Sequence, residues 1–131
     1  MSVQSSFDYA IVRVVPRVDR EEFVNAGVIL YCRARDFLAA RVALDPARLR
    51  TLFPDVDADA IAAHLASFVR VAAGDATAGP IARLPPAERF HWIVAPRSAV
   101  LQVSPVHAGL CIDPADALER LVDQMVRTPR S

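Results

Sequence analysis

"FDYAIVRVVPRVDREEFVNAGVILYC", residues 7–32, holds two apolar runs separated by a short charged connection. The first run, 7–18, is rich in β-branched and aromatic side chains and is apolar at both alternating positions. That is the pattern of a strand covered on both faces. Pro16 should end its regular pairing, since it has no N–H to give a ladder. Residues 19–23 read as a polar connection and 24–32 as a second strand. A third run, DFLAARVALD at 36–45, follows a charged turn at 33–36. Three consecutive strands with joins this short favour an antiparallel meander.

Beyond the meander the pattern turns helical. Pro46, capped by Asp45, opens a short helix to about Phe53, and Pro54 closes it. A longer helix runs from Asp57 to about Ala73. In it Ile61, Leu65, Phe68 and Ala72 recur at helical spacing and face the sheet, while Asp59 and Arg70 point away. GDATAGP at 74–80 is a loop. LPPAERFHWIVAP at 84–96 has prolines and Glu88 that suit a helix start, although RFHWIVA suits a strand by propensity; a short helix is expected. SAVLQVSPVHAGL at 98–110 reads as one or two short strands interrupted at Pro105. Asp113 and Pro114 then open a last helix whose apolar face is Leu118, Leu121, Val122 and Met125. The sum is one α+β domain over residues 1–131, an antiparallel sheet of about five strands with three to four helices packed mainly on one face.

The chain has 131 residues, 53% of them hydrophobic, and its 15 basic and 15 acidic residues balance. This argues against disorder and against a bulk electrostatic grip on nucleic acid. No apolar run reaches bilayer length and the N-terminus lacks a secretory pattern, so a soluble cytoplasmic protein without membrane contact is expected. Cys32 and Cys111 match no metal spacing and read as buried reduced thiols. Every basic residue other than histidine is arginine, which excludes Schiff-base chemistry and a phosphate-loop lysine. A His-Glu-x-x-His pair, a Gly-rich phosphate loop and a Gly-x-Ser-x-Gly elbow are also absent. DVDADA at 55–60 lacks the glycine and distal glutamate of a calcium loop and reads as charge at a helix N-terminus. No metal and no cofactor are expected.

Three features carry candidate chemistry. Arg13 lies inside an apolar strand, where a cation requires a partner; Glu21 or Glu22 across the turn are the nearest carboxylates. If that pair is open at the sheet edge, the same arginine can clamp an anion. Asn25 and Gly27 interrupt the second strand, and a glycine there marks a bulge or a close approach by backbone or ligand. With simple alternation, Val24, Ala26, Val28 and Leu30 share one face and Asn25 and Gly27 the other. The third feature is FHWIVAPRSAVLQVSPVHAG, residues 90–109, with His91, Trp92, Arg97, Ser98, Gln102, Ser104 and His107 between turns. Polar side chains at this density can converge on a pocket. His64 reads as a packed or rim histidine.

Together, FDYAIVRVVPRVDREEFVNAGVIL and RFHWIVAPRSAVLQVSPVHAGL resemble the bacterial family catalogued as domain of unknown function 3037. The matching positions are Tyr9, Arg13, Pro16, Glu22, Phe23, Asn25, Gly27, Pro96, Arg97, Ser98, Ser104 and Pro105. The family carries no established activity. The resemblance implies a protein partner of the kind related to HipA-like kinases. The first functional expectation is therefore a non-catalytic binding or adaptor module. Arg13, Glu22, Asn25, Arg97, Ser98, Gln102 and His107 would line a polar groove for an anionic group or a protein partner. The alternative is a small hydrolase acting on a phosphoester or nucleotide, with His107 or His91 as base and Glu22 as acid or metal ligand. A third possibility is a homodimer built on an apolar sheet face.

Overall fold

The long first hairpin is the axis of the fold. β1 (Ser5–Arg17) pairs antiparallel with β2 (Glu22–Cys32), which pairs antiparallel with β3 (Phe37–Val42). The structure is a computed structural model that describes residues 3–17, 19, 22–95 and 99–127. After the meander come α1 (Pro46–Leu52), α2 (Ala58–Ala72) and α3 (Pro86–Val94), then β4 (Leu101–Val103), β5 (His107–Cys111) and α4 (Pro114–Met125). β4 and β5 both pair antiparallel with β1, one after the other along its outer side, so the five-stranded sheet runs β3-β2-β1-β4 with β5 also on β1.

The caps expected at Asp45 and Asp113 are present, and Asp57, expected as the first helical residue, is a third. The side chain of Asp45 accepts from the backbone N–H of Ala47 and Arg48, Asp57 accepts from Ala60, and Asp113 accepts from Ala115. Each satisfies N–H groups that a helix start leaves without a carbonyl. Residues 86–94 are helical. Phe90 and Ile93, three apart, are buried against Ala10, Ile29 and Leu38, while Trp92 points away and is 56% exposed. A proline start and three-residue apolar spacing outweigh strand propensity there.

One slip in register sets the faces. Val12 stands opposite Gly27, but Arg13 stands opposite Asn25, so Ala26 is an extra residue on β2, a β-bulge. Val24 and Ala26 therefore join Val12, Val14, Leu49, Phe53 and Leu65 under α1 and α2. Val28, Leu30 and Cys32 lie on the opposite face with Phe7, Leu118 and Val122 of α4. Simple alternation, which keeps Val24, Ala26, Val28 and Leu30 together, fails at this bulge. Gly27 is required by β3: a Cβ there would stand 2.7 Å from the Arg41 carbonyl oxygen and 2.8 Å from a Val42 methyl.

Three helices cover one face and α4 lies alone on the other. Its buried side is Ala117, Leu118, Val122 and Val126, with Leu121 partly covered. Met125, expected in that stripe, is instead 37% exposed at its flank. The outer edge of the sheet breaks at Ser104–Pro105. The Ser104 N–H donates to the Ile11 carbonyl at 2.8 Å, and its hydroxyl accepts from the Ile11 N–H at 2.8 Å and donates to the Pro105 carbonyl at 2.9 Å. A buried side chain thus replaces the ladder where proline cannot serve it.

Candidate functional site

α4 packs across β2 and β3, and the cluster beneath it reaches β1 at Phe7 and the partly buried Tyr9, leaving an open strip along the strand from there. Tyr9, Ile11 and Arg13 line this open strip and are half-buried. Arg13 stands between Asn25 on β2 and Gln102 on β4, so three polar residues form one row across three strands.

The row has a definite internal order. Asn25 donates its amide to the Met125 carbonyl at the end of α4, at 3.0 Å, which anchors its carboxamide to the helix. Its Oδ1 is buried without a hydrogen-bond partner, and so is Nε of Arg13. The Arg13 guanidinium lies 4.2 Å from the centre of the Phe23 ring, a cation–π contact. Among the described residues no carboxylate lies within ion-pair distance of Arg13. Glu22 sits opposite Arg17 at the turn end of the hairpin, beyond a second irregularity in the register. Glu21, Arg97 and Ser98 lie outside the described residues.

Gln102 is in register with Arg13, but its amide turns back to the Ala99 carbonyl at 3.0 Å. His107 lies opposite Tyr9, their rings 5.4 Å apart, and is exposed. It shares the face of Arg13 but stands four strand residues away, about 13 Å at ordinary strand rise. Glu22, opposite Arg17, is farther still, roughly 26 Å from His107 along β1. An acid–base pair of His107 and Glu22 is therefore not assembled. His91 is exposed on α3, on the opposite side of the sheet.

Sequence reasoning named Phe23 as a family position without placing it under Arg13, and it missed Met125 as the residue whose carbonyl holds Asn25. Phe23 was accessible in principle: once Arg13 and Asn25 are opposed, the residue two before Asn25 is the next on that face. Met125 was not, because a contact across a hundred residues leaves no local pattern.

A cavity of about 460 Å³ opens between α2, α3 and β4, lined by Phe68, Ile81, Trp92, Leu101 and Val103 with His64 and Ser67 at its rim. It is apolar and holds no convergent charge. Perturbed titrations also lie away from the row. The Thr77 hydroxyl and N–H, with Arg70, pull the Asp75 carboxyl down to about 2. Burial, with Cys32 beside it, pushes the Cys111 thiol up. Among the described residues no group of three His, Cys, Asp or Glu side chains could hold a metal ion, and no helix is long and apolar enough to cross a membrane.

Residues 9–126 match the family model described as "Protein of unknown function (DUF3037)". No curated protein and no solved structure matches the chain.

Proposed function

The chain belongs to the DUF3037 family, and from that premise we propose that it is a non-catalytic binding module whose Arg13 receives an anionic group on the open strip of the sheet. The observation that carries this is the guanidinium itself, held over Phe23 with a buried Nε and no described carboxylate to neutralise it. A half-buried cation is costly to keep without a counter-charge, and guanidinium geometry fits carboxylate or phosphate. Asn25 fixes the neighbouring wall, Gln102 stands opposite Arg13 on β4, and Tyr9 and His107 extend the strip along β1. Arg97, Ser98 and Glu22 belong to the same proposal through the family motif. Phe23 and Met125, both large, apolar and partly exposed beside Arg13, have the composition of a protein contact rather than of a reaction centre. A protein partner of the HipA-like kinase-related type, implied by the resemblance, would bring its anion on a side chain or loop.

Calorimetric titration with phosphate, sulfate and glutamate tests the anion site. Binding by the wild type that disappears in Arg13→Met, at unchanged thermal midpoint, supports it. Identical heats from both proteins would remove it. Co-expression with a kinase-like protein encoded beside the chain tests the adaptor role, where Arg13→Glu should abolish co-purification.

A further inference from the structure

The two edges of the sheet are built differently. The β4–β5 edge is made of strands of three and five residues interrupted by Pro105. Short strands and proline are the ordinary means of keeping an edge from pairing with another chain. The β3 edge has none of them. Its six residues, FLAARV, run in unbroken register against β2 without proline or bulge, with the exposed Arg41 as their one charge. It forms the floor of a cleft of about 470 Å³ whose walls are Val69 and Ala73 of α2 and Ala115 and Leu118 of α4.

The direction of its free backbone groups follows from the ladder. The Ala43 N–H donates to the Ala26 carbonyl at 2.8 Å, and the alternation of antiparallel bonds then turns Arg41, Ala39 and Phe37 toward β2. The N–H and C=O of Leu38, Ala40 and Val42 point off the sheet.

We infer that β3 pairs antiparallel with β3 of a second copy of this chain, about a two-fold axis at Ala40, to form a continuous sheet across a homodimer. Only a centre at an outward-pointing residue lets opposed free groups bond, and Ala40 is the middle one. Ala40 then faces Ala40, and Leu38 faces Val42 on each side, every pair exchanging two backbone bonds. On the other face Arg41 falls opposite Ala39 of the second copy, so no like charges are directly opposed. The charges are complementary as well. Glu119 of α4 has its Oε2 3.8 Å from Arg41 Nε and its Oε1 3.5 Å from Arg127, and Oε2, though ion-paired within the chain, is buried without a hydrogen bond. The pairing brings the Arg41 guanidinium of the second copy alongside this acid, and each copy returns the same contact. At the mouth of the cleft the walls end in Ala73 and Ala115, both exposed, small enough for helices of two copies to approach.

Sedimentation equilibrium over a wide concentration range tests this, with amide hydrogen exchange on the same samples. The expected result is twice the chain mass at high concentration and the single mass on dilution. Leu38, Ala40 and Val42 amides should be protected only in the concentrated sample, while Ala39 and Arg41 stay protected in both. Ala40→Pro removes an outward N–H without touching the β2 ladder and should weaken the dimer about tenfold or more. Val42→Pro, nearer the strand end, serves if Ala40→Pro loses its folded circular dichroism. Glu119→Gln should weaken the dimer with the fold intact. A single-chain mass at every concentration with rapid exchange at Leu38, Ala40 and Val42 overturns the inference, and so does a dimer that Ala40→Pro and Val42→Pro both leave unchanged.

Discussion

Arg13 and Asn25 stand opposite each other across the first hairpin, and each keeps one buried polar atom, Nε and Oδ1, without a hydrogen-bond partner among the described residues. The two residues differ in what they hold. Asn25 ties the sheet to the end of α4 through the Met125 carbonyl, so Asn25→Ala should cost about 0.5–1.5 kcal/mol. Arg13→Met removes a cation with no described counter-charge and should leave urea stability within about 1 kcal/mol of the wild type. If Arg13→Met instead proves the more damaging of the two, Arg13 is a structural tie and not a receptor for an anion.

Gly27 sits where β3 leaves no room. Gly27→Ala places a methyl against the Arg41 carbonyl, which belongs to backbone already engaged in the ladder and cannot swing aside. The expected loss is about 1–3 kcal/mol, accompanied by displacement of β3. Gly109→Ala meets the Phe7 ring at 2.5 Å and should be comparably destabilising. Thermal unfolding of both variants near the wild-type midpoint would mean that these strands can separate freely.

Ser104 is a polar residue of the family motif whose contacts are wholly internal. It is 3% exposed, and its hydroxyl is the acceptor for the Ile11 N–H. Ser104→Ala leaves that buried donor unsatisfied, so a loss of about 1–3 kcal/mol is expected. Anion binding at Arg13 should persist in whatever fraction remains folded, and chemical denaturation followed by titration checks both halves.

The motif and the fold were legible to different depths. Helix starts could be read because an aspartate followed by proline acts within a few residues; Asp45 and Asp113 cap as their neighbours predict, while Asp57, read as the first helical residue, is the cap of its helix. The meander could be read because its joins are too short for anything else. The extra residue at Ala26 could not. Asn-Ala-Gly announces an irregularity, but whether the chain slips there depends on how closely β3 crosses Gly27, which is tertiary. The same limit applies to α4: its stripe shows that it packs, not on which face of the sheet. Met125 was misassigned because Leu118, Leu121, Val122 and Met125 fit one helical face about as well as Ala117, Leu118, Val122 and Val126 do. Grouping Arg13 with Asn25 rested on their nearness to one turn, and the bulge is what brings Asn25 to the Arg13 face.

Asp75 organises the loop after α2. Its carboxylate accepts from the Thr77 hydroxyl and N–H at 2.7 and 2.9 Å and from Arg70 at 3.0 Å. These contacts hold its pKa at about 2, below the ordinary value of 3.8. A depressed carboxylate stabilises the folded loop above the ordinary value, and that contribution fades as pH falls from about 4 toward 2. Carbon-detected titration of Asp75 should give a midpoint near 2. Thr77→Val should move it upward, because the largest cause is then gone; a midpoint unaltered in that variant would assign the shift to the backbone N–H of residue 77 and to Arg70 instead.

Cys32 and Cys111 are buried in the cluster beneath α4, and burial together with the neighbouring Cys32 raises the Cys111 thiol above its usual range. The thiolate is the reactive form, so Cys111 should be inert at neutral pH for two reasons, protonation and inaccessibility. A disulfide-exchange reagent should label neither cysteine in the native protein and both after urea unfolding. The sign of the pH effect follows from the raised value: the folded state holds its proton more firmly, so the stabilisation is complete at neutral pH and is lost as pH rises past the ordinary thiol range. Labelling should therefore track global unfolding and accelerate in alkali. Prompt reaction of one thiol in the native protein at pH 7 would show that the end of the sheet under α4 opens locally.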